Sequence, residues 1–169
     1  MQVALKSAPG STDSLAQITS PWITAFALSP DATQVAVALG DDKVVILDLA
    51  SGDRVSWFSV GIVTVGDIRF DKSVSSRIHT DVGTFEYQHD PGCSLPEPGS
   101  PTRQAAGQKQ IGYGVSDDMS WITHDGLNLL WIPSEYRPER VSISGNAVAI
   151  VTQAGSTLML SFAGHVSWQ

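Results

Sequence analysis

Basic residues are scarce in this chain. Its 169 residues hold 10 Lys and Arg against 17 Asp and Glu, for a net charge of −7, and no two basic residues stand side by side. Such a surface repels phosphate backbones and anionic headgroups, so neither nucleic acid nor a membrane is an expected partner. A single cysteine, Cys93, excludes an intrachain disulfide and a Cys-rich metal site, and it suits a reducing compartment. Before Lys6 and Pro9 the N-terminus offers only Val3-Ala4-Leu5, far short of a secretory apolar region. No run approaches the ~20 apolar residues of a membrane span. A cytoplasmic chain is the expectation.

Signatures of chemistry are missing as well. There is no Gly-x-Ser-x-Gly elbow and no Gly-Lys-Ser phosphate loop. Gly112-x-Gly114 begins like a dinucleotide fingerprint, but Asp117 stands in the place of the third glycine, and the residues beyond it read as a strand, not as a helix N-terminus. The four histidines, His79, His89, His124 and His165, are scattered one per segment. His79-Thr80-Asp81 and His124-Asp125 each pair an imidazole with a carboxylate, whereas tight zinc binding takes about four ligands. The carboxylate pairs Asp41-Asp42 and Asp117-Asp118 sit in turn-like clusters, where both groups are expected to be solvated and a turn role is expected in place of acid–base work. No catalytic residue, metal or cofactor is expected.

What the chain does have is short apolar runs. Ile23 to Leu28, Val35 to Leu39, Val44 to Leu49 and Val55 to Val60 are each of strand length, and Ser-Pro-Asp, Gly-Asp-Asp and Ser-Gly clusters separate them. They read as a four-stranded antiparallel meander, apolar on both faces, which needs neighbours of its own kind. Further strands are expected over Val63 to Phe70, Arg77 to Thr80, Thr84 to Tyr87, Ile111 to Val115, Trp121 to Thr123, Leu127 to Ile132, Val141 to Ile143, Ala147 to Thr152 and Thr157 to Phe162. His124-Asp125-Gly126 marks a hairpin. Leu28, Phe70, Val115 and Ile143, which close the first strand of each series, are 42, 45 and 28 residues apart. The first two steps match the period of about 40–45 residues of a propeller blade. The expected organisation is an N-terminal linker or edge strand over 1–21 and a partial propeller over 22–163. Its units fall at about 22–60, 61–88, 110–134 and 139–163, with a Pro- and Gly-rich insertion at 88–109 and a tail at 164–169.

Residues 23–52 resemble a WD40 repeat. Ser29-Pro30-Asp31 stands at the turn after the first strand, Asp41 at the tight turn before the third, and Leu47-Asp48 where that family carries Trp-Asp. In the third unit Leu130-Trp131-Ile132 fits the same place. Gly112 to Asp118, Trp121-Ile122-Thr123, Asn128 to Trp131 and Glu135-Tyr136-Arg137-Pro138 are similar to the end of the WD40 array in fungal NACHT-WD40 proteins, receptors of the heterokaryon-incompatibility type. The resemblance implies an all-β, partial WD40-like β-propeller of about four blade-like antiparallel units. Asp31, Asp41, Asp48 and Trp131 are then turn or blade residues. The family's Gly-His pair is absent near Ile18-Thr19, so its His to Asp to Trp relay is not expected.

For function, the resemblance implies a non-catalytic interaction scaffold with a protein partner, serving ligand recognition in nonself sensing. An enzyme or carbohydrate-binding protein with a site in the channel loops is the alternative. Tyr136, Arg137 and Arg140, read as one loop, form the candidate contact patch, since aromatic and Arg side chains contribute most per residue to interfaces. Trp22, Trp57, Trp121 and Trp131 are expected in the core. A full WD40 ring usually has more blades than this chain holds, so the chain is expected to be a piece of a ring or a half ring completed by a second copy.

Overall fold

The computed structural model describes residues 22–61, 64–89 and 108–163. Residues 1–21 and 164–169, and all but the ends of the expected insertion, lie outside them. The described chain is β-strand throughout, apart from one 3₁₀ turn over Ser134–Tyr136. The strands are β1 (Ile23–Leu28), β2 (Gln34–Leu39), β3 (Lys43–Asp48), β4 (Arg54–Ser59), β5 (Ile68–Phe70), β6 (Arg77–Thr80) and β7 (Gly83–Glu86), then β8 (Lys109–Val115), β9 (Trp121–His124), β10 (Leu127–Trp131), β11 (Pro138–Ser144), β12 (Ala147–Thr152) and β13 (Thr157–Ser161). Every pairing is antiparallel between neighbours in the sequence. Helices over a single sheet, or parallel strands, would have overturned the sequence reading. Neither is present among the described residues.

The first sheet, β1-β2-β3-β4, shows why a meander of this composition needs company. Ala36, Ala38, Val44, Ile46 and Phe58 bury one face, and Val37, Leu39, Val45, Leu47 and Trp57 bury the other. At ~25 cal/mol per Å² of apolar surface, a sheet with two such faces is stable only when both are covered. On the first face it meets the second sheet, where the rings of Phe58 and Phe85 lie 5.2 Å apart. The same core continues through Ile68, Ile78 and Ile122 to Val141, Val148 and Ile150 of the third sheet, β11-β12-β13. One hydrophobic core thus crosses all three sheets.

The segments 61–88 and 110–134, expected as separate units, share one six-stranded sheet of order β10-β9-β8-β7-β6-β5. Strand β8 makes the join. Its first half pairs with β7, as in Phe85↔Gln110 and Thr84↔Ile111, while Tyr113 to Val115 pair with β9. The β7 ladder shifts around Gly112, whose φ of +66° admits the local kink, and resumes at Gly83↔Gly114, so that Gly114 is paired on both sides, with β7 and with Thr123 of β9. Asp125 in the β9–β10 turn clasps this kink, since its amide donates to the Gly112 carbonyl at 2.8 Å and its Oδ1 accepts from the Gly112 amide at 2.8 Å.

Contacts between units fix their relation. The Tyr87 hydroxyl, at the end of the second series, donates to Gln34 Oε1 on β2 at 2.8 Å. Burial of that hydroxyl pushes its pKa up to about 12. Gly61, just after β4, lies against the main chain of Asp117, so that a Cβ on it would sit 2.8 Å from Asp117 Cα; its φ is +85°. Gly112 has open space around the same position. Gly61→Ala is therefore expected to cost about 2–3 kcal/mol of stability, against about 1 kcal/mol for Gly112→Ala, which carries only the left-handed backbone cost. Urea titrations of the two variants measure the difference; equal losses would mean that the Gly61–Asp117 approach constrains nothing.

Candidate interaction surface

Aspartates organise the turns from which any surface is built. In the first turn Asp31 Oδ1 accepts from the Ser29 hydroxyl at 2.6 Å, the Thr33 amide at 3.1 Å and the Thr33 hydroxyl at 2.9 Å. Asp118 repeats this in the third series, accepting from the Ser116 hydroxyl at 2.7 Å, the Ser120 amide at 3.1 Å and the Ser120 hydroxyl at 2.6 Å. The residue after each Asp, Ala32 or Met119, takes a left-handed φ of 57° or 59°. Asp71 caps the second turn through the amides of Ser73 and Val74, and Asp48 holds the amides of Ala50 and Ser51. These bonds favour the carboxylate. Hydrogen bonds led by Ser120 lower Asp118 to about 2, those led by the Ser73 amide lower Asp71 to about 2, and Asp31 and Asp48 are lowered for the same kind of reason. Asp41 instead pairs with Lys43 at 2.7 Å, an exposed contact of small energetic weight.

Asp81 behaves in the opposite way. It lies between the second and third sheets, where its carbonyl accepts from the Ile143 amide at 3.0 Å and its Oδ2 from the Gly66 amide at 3.0 Å. Its Oδ1 is enclosed without a hydrogen-bond partner among the described residues, and burial raises its pKa. Burial also raises Asp42 and Asp117.

Sequence reading missed one hydrogen-bonded series. His79 Nε2 lies 2.9 Å from Asp71 Oδ2, and His79 Nδ1 lies 3.0 Å from Thr84 Oγ1. The seven residues between Asp71 and His79 hide it in the sequence; only the antiparallel registers Arg69↔His79 and His79↔Thr84 bring the three together. A carboxylate, imidazole and hydroxyl in line resemble a nucleophilic triad, but Thr84 is on a central strand between β6 and β8. Backbone amides there belong to the ladder, which leaves no N–H pair to receive an oxyanion. The series is best understood as a cross-strand brace.

The candidate patch is less of a loop than expected. Tyr136 ends the 3₁₀ turn, Arg137 comes next, and Arg140 belongs to β11, opposite Val151. Strand β11 starts three residues before its expected start at Val141, because Pro138, which lacks an amide hydrogen, is tolerated as the first residue of a strand. All three side chains are exposed. Among the described residues neither Arg137 nor Arg140 makes an ion pair. The tryptophans need correction. Trp57 is buried and Trp121 half-buried, but Trp131 is 51% exposed and Trp22 is 59% exposed, so neither of these two is core. Trp131 lies on β10, the last strand of its sheet, with no described strand beyond it, and Trp22 precedes the edge strand β1. Among the described residues no three His, Cys, Asp or Glu side chains converge in a way that would hold a metal ion.

The depressed turn carboxylates set a pH dependence. Their folded pKa values lie below the ordinary ~4, so the unfolded chain binds protons first, and the stability they contribute is present above about pH 4 and is lost as pH falls towards 2. Asp42, Asp81 and Asp117 act in the reverse sense, relieving the folded state as they protonate. The melting temperature is expected to fall between pH 4 and 2, and to fall less in Asp118→Asn. Thermal melts followed by circular dichroism across this range test it; an unchanged slope in Asp118→Asn would remove the turn from the account.

No family model matches the chain. Over 54 residues it is 30% identical to the vegetative incompatibility protein HET-E-1 of Podospora anserina, a NACHT-WD40 protein, and the matched stretch spans 32% of this chain and 4% of that protein. Similar solved structures include the computationally designed Ika4 protein, at 13% identity over 96% of this chain and 100% of that one with a TM-score of 0.42. The β-propeller domain of Myceliophteria thermophila Cps50 (Swd1) aligns at 12% identity over 87% of this chain and 56% of that one, with a TM-score of 0.41. The WD40 repeats of RRP9 align at 12% identity over 82% and 51%, with a TM-score of 0.35. With its antiparallel meanders the chain is all-β, as a partial propeller requires, and over those 54 residues its sequence resembles HET-E-1, a NACHT-WD40 protein.

Proposed function

We propose that this chain is a non-catalytic, cytoplasmic scaffold that binds a protein through Tyr136, Arg137 and Arg140, in fungal-type nonself sensing, a reading supported by its likeness to the vegetative incompatibility protein HET-E-1. The observation that carries the reading is the patch itself: an exposed Tyr beside two exposed Arg side chains that are free of acidic partners among the described residues. Unpaired guanidinium groups keep their fork of donors available for carboxylates, and a neighbouring phenol adds apolar area at little entropic cost. The polar series at His79 favours the enzyme alternative, but its hydroxyl is set in a ladder that supplies no oxyanion donors.

The patch is tested by photo-crosslinking from position 136 to identify the partner, then by measuring its affinity for wild type and for Arg137→Ala/Arg140→Ala. A loss of at least tenfold, about 1.4 kcal/mol or more, is expected without a change in melting temperature. Identical affinities would dismiss the patch.

Self-association belongs to the same reading. The first sheet leaves Phe26 and Leu28 in water on β1, and the third leaves Val151 and Met159, with Met159 77% exposed. These apolar surfaces suit a second copy that completes the ring. Light scattering is expected to give twice the 18.0 kDa of the chain. A concentration-independent monomer mass would rule this out while leaving the patch to its own test.

A further inference from the structure

We propose that the outer edge of β10 is a docking site for an extended segment of a partner protein, which adds to the six-stranded sheet as an antiparallel strand; this deepens the protein-binding reading above. The first sheet supplies the comparison. There the strand sequence β1, β2, β3 is completed by β4, and the central residues of β3 are sealed: Val45, Ile46 and Leu47 are 0%, 0% and 6% exposed. The second half of β8, then β9 and β10, repeat the first three strands, entered by the same Ser-x-Asp turn at Ser116-x-Asp118 as at Ser29-x-Asp31. Ile132 donates to the Ser120 carbonyl as Leu49 does to that of Thr33, so Leu130 holds the place of Leu47 and Trp131 that of Asp48, with Leu129 at the register shift. Yet Leu130 is 43% exposed against 6% for Leu47, and Leu129, Trp131 and Leu127 are 43%, 51% and 74% exposed. What differs is the fourth strand. After β10 the chain turns away through Ile132 and the 3₁₀ turn, and among the described residues no strand covers the β10 edge.

Both the chemistry and the charge of the edge define the occupant. A row of unpaired backbone N–H and C=O groups beside apolar side chains is completed by an extended polypeptide with alternating apolar residues, which continues the existing ladder. Within β10 there is no charged residue, while Asp125 stands at one end and Asp117, Asp118 and Glu135 lie towards the other, outnumbering the cation of Arg137. A second copy of a chain with net charge −7 is opposed at this border. A segment flanked by Lys or Arg fits it, and β4 itself begins with Arg54.

The test uses the full chain and a fluorescein-labelled peptide carrying Arg54–Val60 with one lysine added at each end. Binding on the order of 10 μM is expected by anisotropy, with loss of at least tenfold on Leu129→Lys, which places a charge on the edge. The same peptide N-methylated at alternate residues on its ladder edge cannot donate to β10 and is expected not to bind wild type; this decides the matter if Leu129→Lys fails to fold. Hydrogen exchange of the β10 amides in the free chain is expected to be fast on this edge and to slow with peptide. Equal binding of the N-methylated peptide, β10 amides already protected in the free chain, or a dimer dissociated by Leu129→Lys would each overturn the proposal. Failure here, with Arg137→Ala/Arg140→Ala still weakening partner capture, would leave the scaffold reading intact.

Discussion

Burial of both faces of one small sheet is the constraint on which the rest of the molecule depends. In β2 and β3 consecutive residues, not alternate ones, are apolar, so Val44 and Val45 point to opposite sides and both are removed from water. An isolated four-stranded sheet cannot achieve this. On the face of Val44 and Ile46 the cover comes from the other sheets, and the core that begins at Ala36 ends only at Ile150, while Val45 and its neighbours form a second cluster within the first sheet. Packing of this kind places the polar atoms at the strand ends, in the turns.

That placement explains the electrostatics. Carboxylates at Asp31, Asp48, Asp71 and Asp118 satisfy amides and hydroxyls that the ladders leave unpaired, and their lowered pKa values record that they are spent on structure. Even the His79 imidazole is engaged between Asp71 and Thr84. Groups tuned for catalysis usually meet in a cleft with their pKa values pushed apart. Here, of the raised carboxyls, Asp42 and Asp117 stand in turns and Asp81 at a seam between sheets. Among the described residues Tyr136, Arg137 and Arg140 stay exposed, and neither Arg makes an ion pair.

Much of this is legible in the sequence because its signals are local. Strand positions come from runs of Val and Ile, and Leu28, Phe70, Val115 and Ile143 all fall at or next to the ends of the strands they are expected to close. The Asp-Gly hairpin at Asp125-Gly126 needs only two residues to announce itself, and both take the left-handed backbone it requires. What escapes depends on distant pairing. Nothing near Gly112 says that β8 will serve two neighbours, since that is decided by which edges are left open by β7 and β9. Trp131 reads as core on its apolar character alone, and its exposure follows from its place at the end of β10, beyond which no described strand lies. Arg140 reads as loop because Pro138 precedes it, although a strand's first residue has no need of an amide hydrogen when that side is unpaired.

The same distinction between complete and incomplete units bears on where function resides. A unit with all its strands has committed its backbone groups, and its remaining surface is turns stiffened by Asp. An incomplete unit keeps a line of donors and acceptors beside large apolar side chains, which is costly in water unless something covers it. Natural edges are commonly protected by a Lys or Pro within the strand or by a prominent bulge; β10 has only a register shift between Asn128 and Leu130, and neither Lys nor Pro. The Tyr136 and Arg137 patch begins a few residues after this edge, so one partner chain laid along β10 would arrive beside the guanidinium groups. Backbone pairing would then provide affinity that is indifferent to sequence, the acidic border of β10 would favour basic flanks, and Arg137 and Arg140 would select carboxylates farther along the same partner chain.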